Sequence, residues 1–402
     1  MYNLTVGLQN KIRLFRIFAF VHSLNFYLPI QLIYFYFATQ SYSLAAALAA
    51  IIIVCSALSE IPTGIFSDIV GRKQTHILAT VLNAVSLGFY AIGFHNLWFL
   101  VIGALIEGVS TALYNGNTQA YLHNILSENN LENQYHHYYG SVNAVATIAS
   151  FIAALFCGFL ASKTLPLLMW ASVVPQVIAI FIAFSMPAVR TVNSNTLVGL
   201  WSHLKGVIKE IRGNVNLQLL SISKILGNGA GLTAYQFQAL VITAFWPLWA
   251  VGIARALQEV INVPGFYFAG KIIKKFGEIK VLIFGTEQSV LSNIIAAIFP
   301  SVLSPIFIAS SGFLYGPSDT AEQTLFQKEF SDKQRATIAS FNSFVGSLYF
   351  AAVSISVGIF ANHFGPVSAL LLTQLLFVPT IVLQWVLFKR LKKHSPEATS
   401  IS

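Results

Sequence analysis

The chain has 402 residues, 56% of them hydrophobic and only 9% charged. Soluble domains carry roughly 25% charged residues, so this composition excludes an ordinary globular enzyme and describes a polytopic membrane protein. The net charge of +9 does not mark a nucleic-acid binder either, because the basic residues are scattered over many short polar breaks instead of gathered on one face.

Lys11, Arg13 and Arg16 lead straight into an apolar run longer than a signal peptide needs, with no small-residue cleavage site after it, so the first span is expected to be retained. Apolar runs close to the roughly 20 residues that cross a bilayer are predicted at 16–39, 43–63, 75–94, 97–122, 141–161 and 165–186. After a polar connection, six more are predicted at 217–240, 247–270, 280–299, 301–325, 337–361 and 366–388. The turn between spans 7 and 8 is placed at Ile242 to Pro247, inside a stretch without charge from Lys224 to Arg255. The predicted fold is therefore an all-α membrane protein with twelve transmembrane helices in two six-helix bundles. Its parts are an N-terminal bundle (1–186), a cytoplasmic linker (187–216) and a C-terminal bundle with a basic tail (217–402).

Of the 23 lysines and arginines, 20 fall in the termini or in the connections after even-numbered spans. That bias predicts both termini on the cytoplasmic side of the cell membrane. In the linker, Leu197, Leu200, Leu204, Val207 and Ile211 form an apolar stripe, with Lys205, Lys209 and Arg212 off it, which predicts a helix lying on the inner membrane surface. Cys55 and Cys157 lie inside apolar runs and read as core residues. Adjacent His136 and His137 lack the spacing of metal ligands, so no metal is expected.

The stretch between spans 2 and 3 reads Gly64-x3-Asp68-x2-Gly71-Arg72-Lys73. The same spacing returns 206 residues later as Gly270-x3-Lys274-x2-Gly277-Glu278-Ile-Lys280, and Leu113-Tyr-Asn-Gly116 is echoed by Leu314-Tyr-Gly-Pro317. The first stretch resembles motif A of the major facilitator superfamily, and the repeat matches that family's duplicated architecture. The resemblance implies two bundles related by a two-fold axis along the membrane normal. It also implies a gating loop at Gly64, Asp68, Gly71, Arg72 and Lys73, echoed at Gly270 and Gly277, in which Asp68 braces helix ends. In the second copy Lys274 stands in place of the acid.

Ionisable groups within a bilayer are costly and mark functional sites or interhelical partners. Glu107 lies about 15 Å into span 4 at 1.5 Å per residue. It reads as a proton carrier, a substrate counter-ion, or a neutral acid bonded between helices. Arg255 and Glu259 stand four apart on span 8 and are expected to pair; both also suit a charged substrate. Lys224 on span 7 could line a cavity or snorkel to the headgroups. Glu60, Glu287, Asp319 and Glu322, nearer the cytoplasmic ends, suggest gating salt bridges. Uncharged polar residues add a candidate substrate cavity: His22, Asn25, Gln31 and Tyr34 on span 1, Asn115 and Gln119 on span 4, and Asn228 and Gln236 on span 7. In the superfamily, spans 1, 4, 7 and 10 line the path. Each such residue could equally form an interhelical hydrogen bond worth about 0.6 kcal/mol.

No phosphate loop, His-Glu-x2-His or Gly-x-Ser-x-Gly pattern is present, so neither direct use of ATP nor hydrolytic chemistry is expected, and no cofactor. A carboxyl group in apolar surroundings favours its neutral form and can exchange protons near neutral pH, which makes Glu107 or Glu259 the expected coupling site. The expected function is proton-coupled export of a small organic molecule by alternating access. Import of a sugar or similar nutrient is the alternative, and a membrane sensor or enzyme a minor one. The partners are a small solute, H+ and the bilayer.

Overall fold

The computed structural model describes residues 6–189, 211, 213–329 and 335–394. Most of the linker stripe lies outside the described residues. Among them the chain is helical: α1 Val6–Ser23, a 3-10 turn Leu28–Ile30, α2 Gln31–Thr39, α3 Tyr42–Val70, α4 Arg72–Ile92, α5 Leu97–Ser127, α6 Tyr135–Lys163 and α7 Leu165–Ser185. There follow α8 Val215–Phe245, α9 Leu248–Phe276, α10 Glu278–Ile298, α11 Ser304–Ser310, α12 Tyr315–Glu329, α13 Arg335–Leu376 and α14 Val378–His394. Several starts carry the side-chain caps that orphan N–H groups require. Ser41, Asn96, Thr164 and Asn214 accept hydrogen bonds from the first turns of α3, α5, α7 and α8.

Among the described residues, eight helical stretches are long and apolar enough to cross a membrane, one of them the 56-residue run Ile338–Lys393. That run bends at Gly365 (φ 77°), which with Pro366 behind it separates spans 11 and 12. A glycine outside one helix and a proline at the start of the next is the usual division of labour.

Three spans differ from their prediction, and one of them, span 12, is divided at Phe377 between α13 and α14. Span 1 is not one helix: it stops at Ser23 and resumes through the 3-10 turn at Leu28. Pro29 has no N–H and its ring excludes the helical carbonyl four residues earlier; Asn25 instead accepts the Tyr27 amide on its side chain at 3.3 Å. Span 10 is likewise split into α11 and α12, joined through Ser311–Leu314 by i→i−3 bonds ahead of Pro317. Pro62, Pro175 and Pro264, by contrast, stay inside continuous helices.

The chain divides into two compact units, Met1–Asn195 with Leu248–Ile253, and Thr196–Pro247 with Ala254–Ser402. In the first, α5 packs against α3 and α4, α4 also against α7, and α1 against α6 and α7. In the second, α8 packs against α13 and α14, and α10 against α12.

Candidate transport site

The motif between spans 2 and 3 contains a one-residue turn. Gly71 ends α3 and starts α4 with φ 103° and ψ 148°, a backbone region essentially reserved for glycine. Gly277 does the same between α9 and α10 with φ 82° and ψ 151°, so the sequence echo is also a conformational one. Gly64 and Gly270 lie within helices, where an added Cβ would meet nothing. Asp68 pairs with Arg72 one turn on. Arg72 donates to Ser67 Oγ at 3.0 Å, Ser67 donates to Asn117 Oδ1 at 2.8 Å, and Asn117 Nδ2 donates to the Arg72 carbonyl at 2.6 Å. This ring ties the motif to α5. Asn117→Ala would remove the acceptor of the buried Ser67 hydroxyl and one donor to the Arg72 carbonyl, so a loss of about 1–3 kcal/mol is expected, read as a lower unfolding midpoint in detergent; an unchanged midpoint would show the ring to be dispensable.

Glu107 is 5% exposed. Its carboxyl group accepts from the hydroxyls of Tyr27 and of Tyr90, the latter at 2.7 Å. Gln31 donates in turn to Tyr27 Oη at 2.7 Å. Tyr27 stands at the start of the 3-10 turn, so the acid is bonded to the stretch of span 1 where the α-helix is interrupted. Both partners are hydroxyls, which donate to a carboxylate and can rotate to accept from a carboxylic acid. The cluster can therefore satisfy either protonation state, and no cation lies within ion-pair distance of Glu107 among the described residues.

The other candidates separate. Tyr34 is buried in the wall of this cluster, its hydroxyl on the Tyr90 carbonyl at 2.6 Å. His22 stacks on Tyr114 with ring centroids 4.0 Å apart, and its carbonyl accepts from Gln176. Asn25 serves the helix break. Asn115, Gln119 and Asn228 are exposed, Gln119 donating to Tyr139 at 3.2 Å. Gln236 Oε1 is buried without a partner. Lys224 does not snorkel: its ammonium donates to Glu322 at 2.7 Å and lies 5.1 Å from the Phe326 ring centroid.

The expected ion pair between Arg255 and Glu259 is not made. Arg255 turns away from Glu259 toward neutral groups, donating from Nη1 to Gln238 and Gln258 at 3.3 and 3.1 Å and from Nη2 to the Tyr235 carbonyl at 2.6 Å. It also stacks 3.9 Å from the centroid of the Tyr235 ring. Gln238 and the Tyr235 carbonyl reach the guanidinium from α8, and Gln258 from its own helix.

Two buried residues escape a reading of charge alone, Tyr90 and His76. His76, Asn83 and Tyr90 repeat at seven residues and so share one face of α4; all three are buried, and neither ring nitrogen of His76 has a partner. That spacing is the signal by which they could be found.

A model of the Major Facilitator Superfamily matches residues 16–353. The chain belongs to that superfamily. It is thus a multi-pass membrane transporter of a small molecule and not an enzyme. A search of curated proteins returned no match. Among solved structures, the transporter is similar to the nucleoside transporter NupG (12% identity, 94% of this chain and 99% of that one covered, TM-score 0.78). It is also similar to PepTSo2 (13%, 97% and 100%, 0.73) and to the Escherichia coli fucose:proton symporter FucP (14%, 95% and 98%, 0.59). At these identities the likeness is one of fold.

Proposed function

We propose that this transporter is a proton-coupled secondary carrier of a small polar organic solute, with Glu107 as the proton site. The observation that carries the reading is the bond from Tyr27, in the break of span 1, to a buried acid that has no cation beside it. Gain or loss of the proton changes which groups donate and accept around Glu107, and so biases the interrupted segment of span 1 between two arrangements. A discontinuous helix at a coupling site is a recurrent device in secondary transporters, and a ligand shifts such an equilibrium by its differential affinity for the two states.

Import is taken ahead of the export expected from sequence. Both units bury hydroxyl and amide side chains, which suit a hydrophilic solute, and one structure of the same fold is described as a fucose:proton symporter. The Lys/Arg bias supports a place in the cell membrane with both termini cytoplasmic. Asp68 acts here as the clamp on Arg72 at the one-residue turn. Division of the chain at the 187–216 linker into two functional bundles is part of the same proposal.

The test is uptake of labelled nucleosides, dipeptides and sugars into liposomes holding the protein under an imposed pH gradient. With one proton per solute, a gradient of about one pH unit supports about tenfold accumulation, abolished by a protonophore. Solutes that only equilibrate, at a rate indifferent to the gradient, would overturn proton coupling; accumulation only when the gradient is reversed would restore export.

A further inference from the structure

Arg255 is 2% exposed and has no carboxylate within ion-pair distance. Of its five N–H donors, three are used, all on neutral acceptors: Gln238, Gln258 and the Tyr235 carbonyl. Nε is buried without a partner, and one Nη2 N–H is left over. Two donors on one guanidinium is the number that a carboxylate takes in a bidentate pair. Around them lies a neutral polar shell: Gln238 donates to Asn293 at 2.9 Å and reaches Ser311 at 3.4 Å, at the break between α11 and α12. Asn262 Oδ1 and Gln288 Oε1 are also buried without partners.

We infer that Arg255 is a recognition site for a carboxylate on the transported solute, reached when the interrupted span 10 opens. A buried cation is tolerated when paired and costly when not. The three bonds to neutral acceptors hold the guanidinium in a fixed orientation and leave two N–H donors for an exchangeable anion. The inference rests on the transporter reading for its solute, but not on Glu107 or on proton coupling.

The test uses the full-length protein in liposomes and a panel of labelled acetate, lactate, succinate and benzoate, each beside its amide. At least one acid should undergo counterflow while its amide does not. Arg255→Gln should lower that exchange by about tenfold or more, and Arg255→Lys, which keeps the charge but loses the planar fork, should retain part of it. A second measurement needs no variant: the same acid should slow modification of Arg255 by phenylglyoxal, read by mass spectrometry, and leave the exposed Arg390 unaffected. Amides exchanging as well as acids, or no protection of Arg255 by any acid, would overturn the site. Protection of Arg255 without exchange of any compound would support the site and sink the transport reading instead.

Discussion

Glu107→Gln is expected to remove accumulation while leaving exchange. Under a gradient of about one pH unit the variant should bring its solute only to equilibrium, a loss of about tenfold, and counterflow of the same solute should continue close to the parent rate. Glutamine keeps the size of the side chain, and its carbonyl still accepts from Tyr27 and Tyr90, so folding and solute contacts persist. What is lost is the proton that distinguishes one arrangement of the Tyr27 segment from the other. Accumulation that survives in Glu107→Gln would make Glu107 a structural acid held between helices, and Glu259 would become the next residue to substitute.

The motif glycines should respond to substitution in opposite directions. Gly71→Ala forces a Cβ into φ 103°, ψ 148°, where the strain is on the order of 1–3 kcal/mol, and its unfolding midpoint in detergent should fall. Gly277→Ala, at φ 82°, ψ 151°, should behave alike. Gly64→Ala lies mid-helix in open space and should gain about 0.5–1 kcal/mol, because alanine loses less conformational freedom than glycine in a helix. A loss at Gly64 equal to that at Gly71 would show that the positive φ of Gly71 does not set the requirement.

Much of the architecture was legible beforehand because it depends on one-dimensional quantities. Span length against bilayer thickness and the spacing of Gly64, Asp68 and Gly71 can be read without knowledge of partners. The turn at Ile242 to Pro247 came out at Trp246 and Pro247 for the same reason: a proline at the edge of an apolar run ends a helix by its own covalent geometry.

The candidate site was legible only as a set of residue types. That Pro29 accompanies a break while Pro62, Pro175 and Pro264 do not depends on whether Asn25 and Glu107 can bond what the helix gives up, and Glu107 is 80 residues from Tyr27. Likewise Arg255 and Glu259 share a helix face by periodicity, yet Arg255 bonds Gln238 and Tyr235 of the preceding helix. Buried polar groups choose partners by distance and geometry in a low-dielectric interior, where an unmet bond is expensive. Periodicity along one helix says which residues can meet there, whereas the partner actually taken depends on the helices packed beside it.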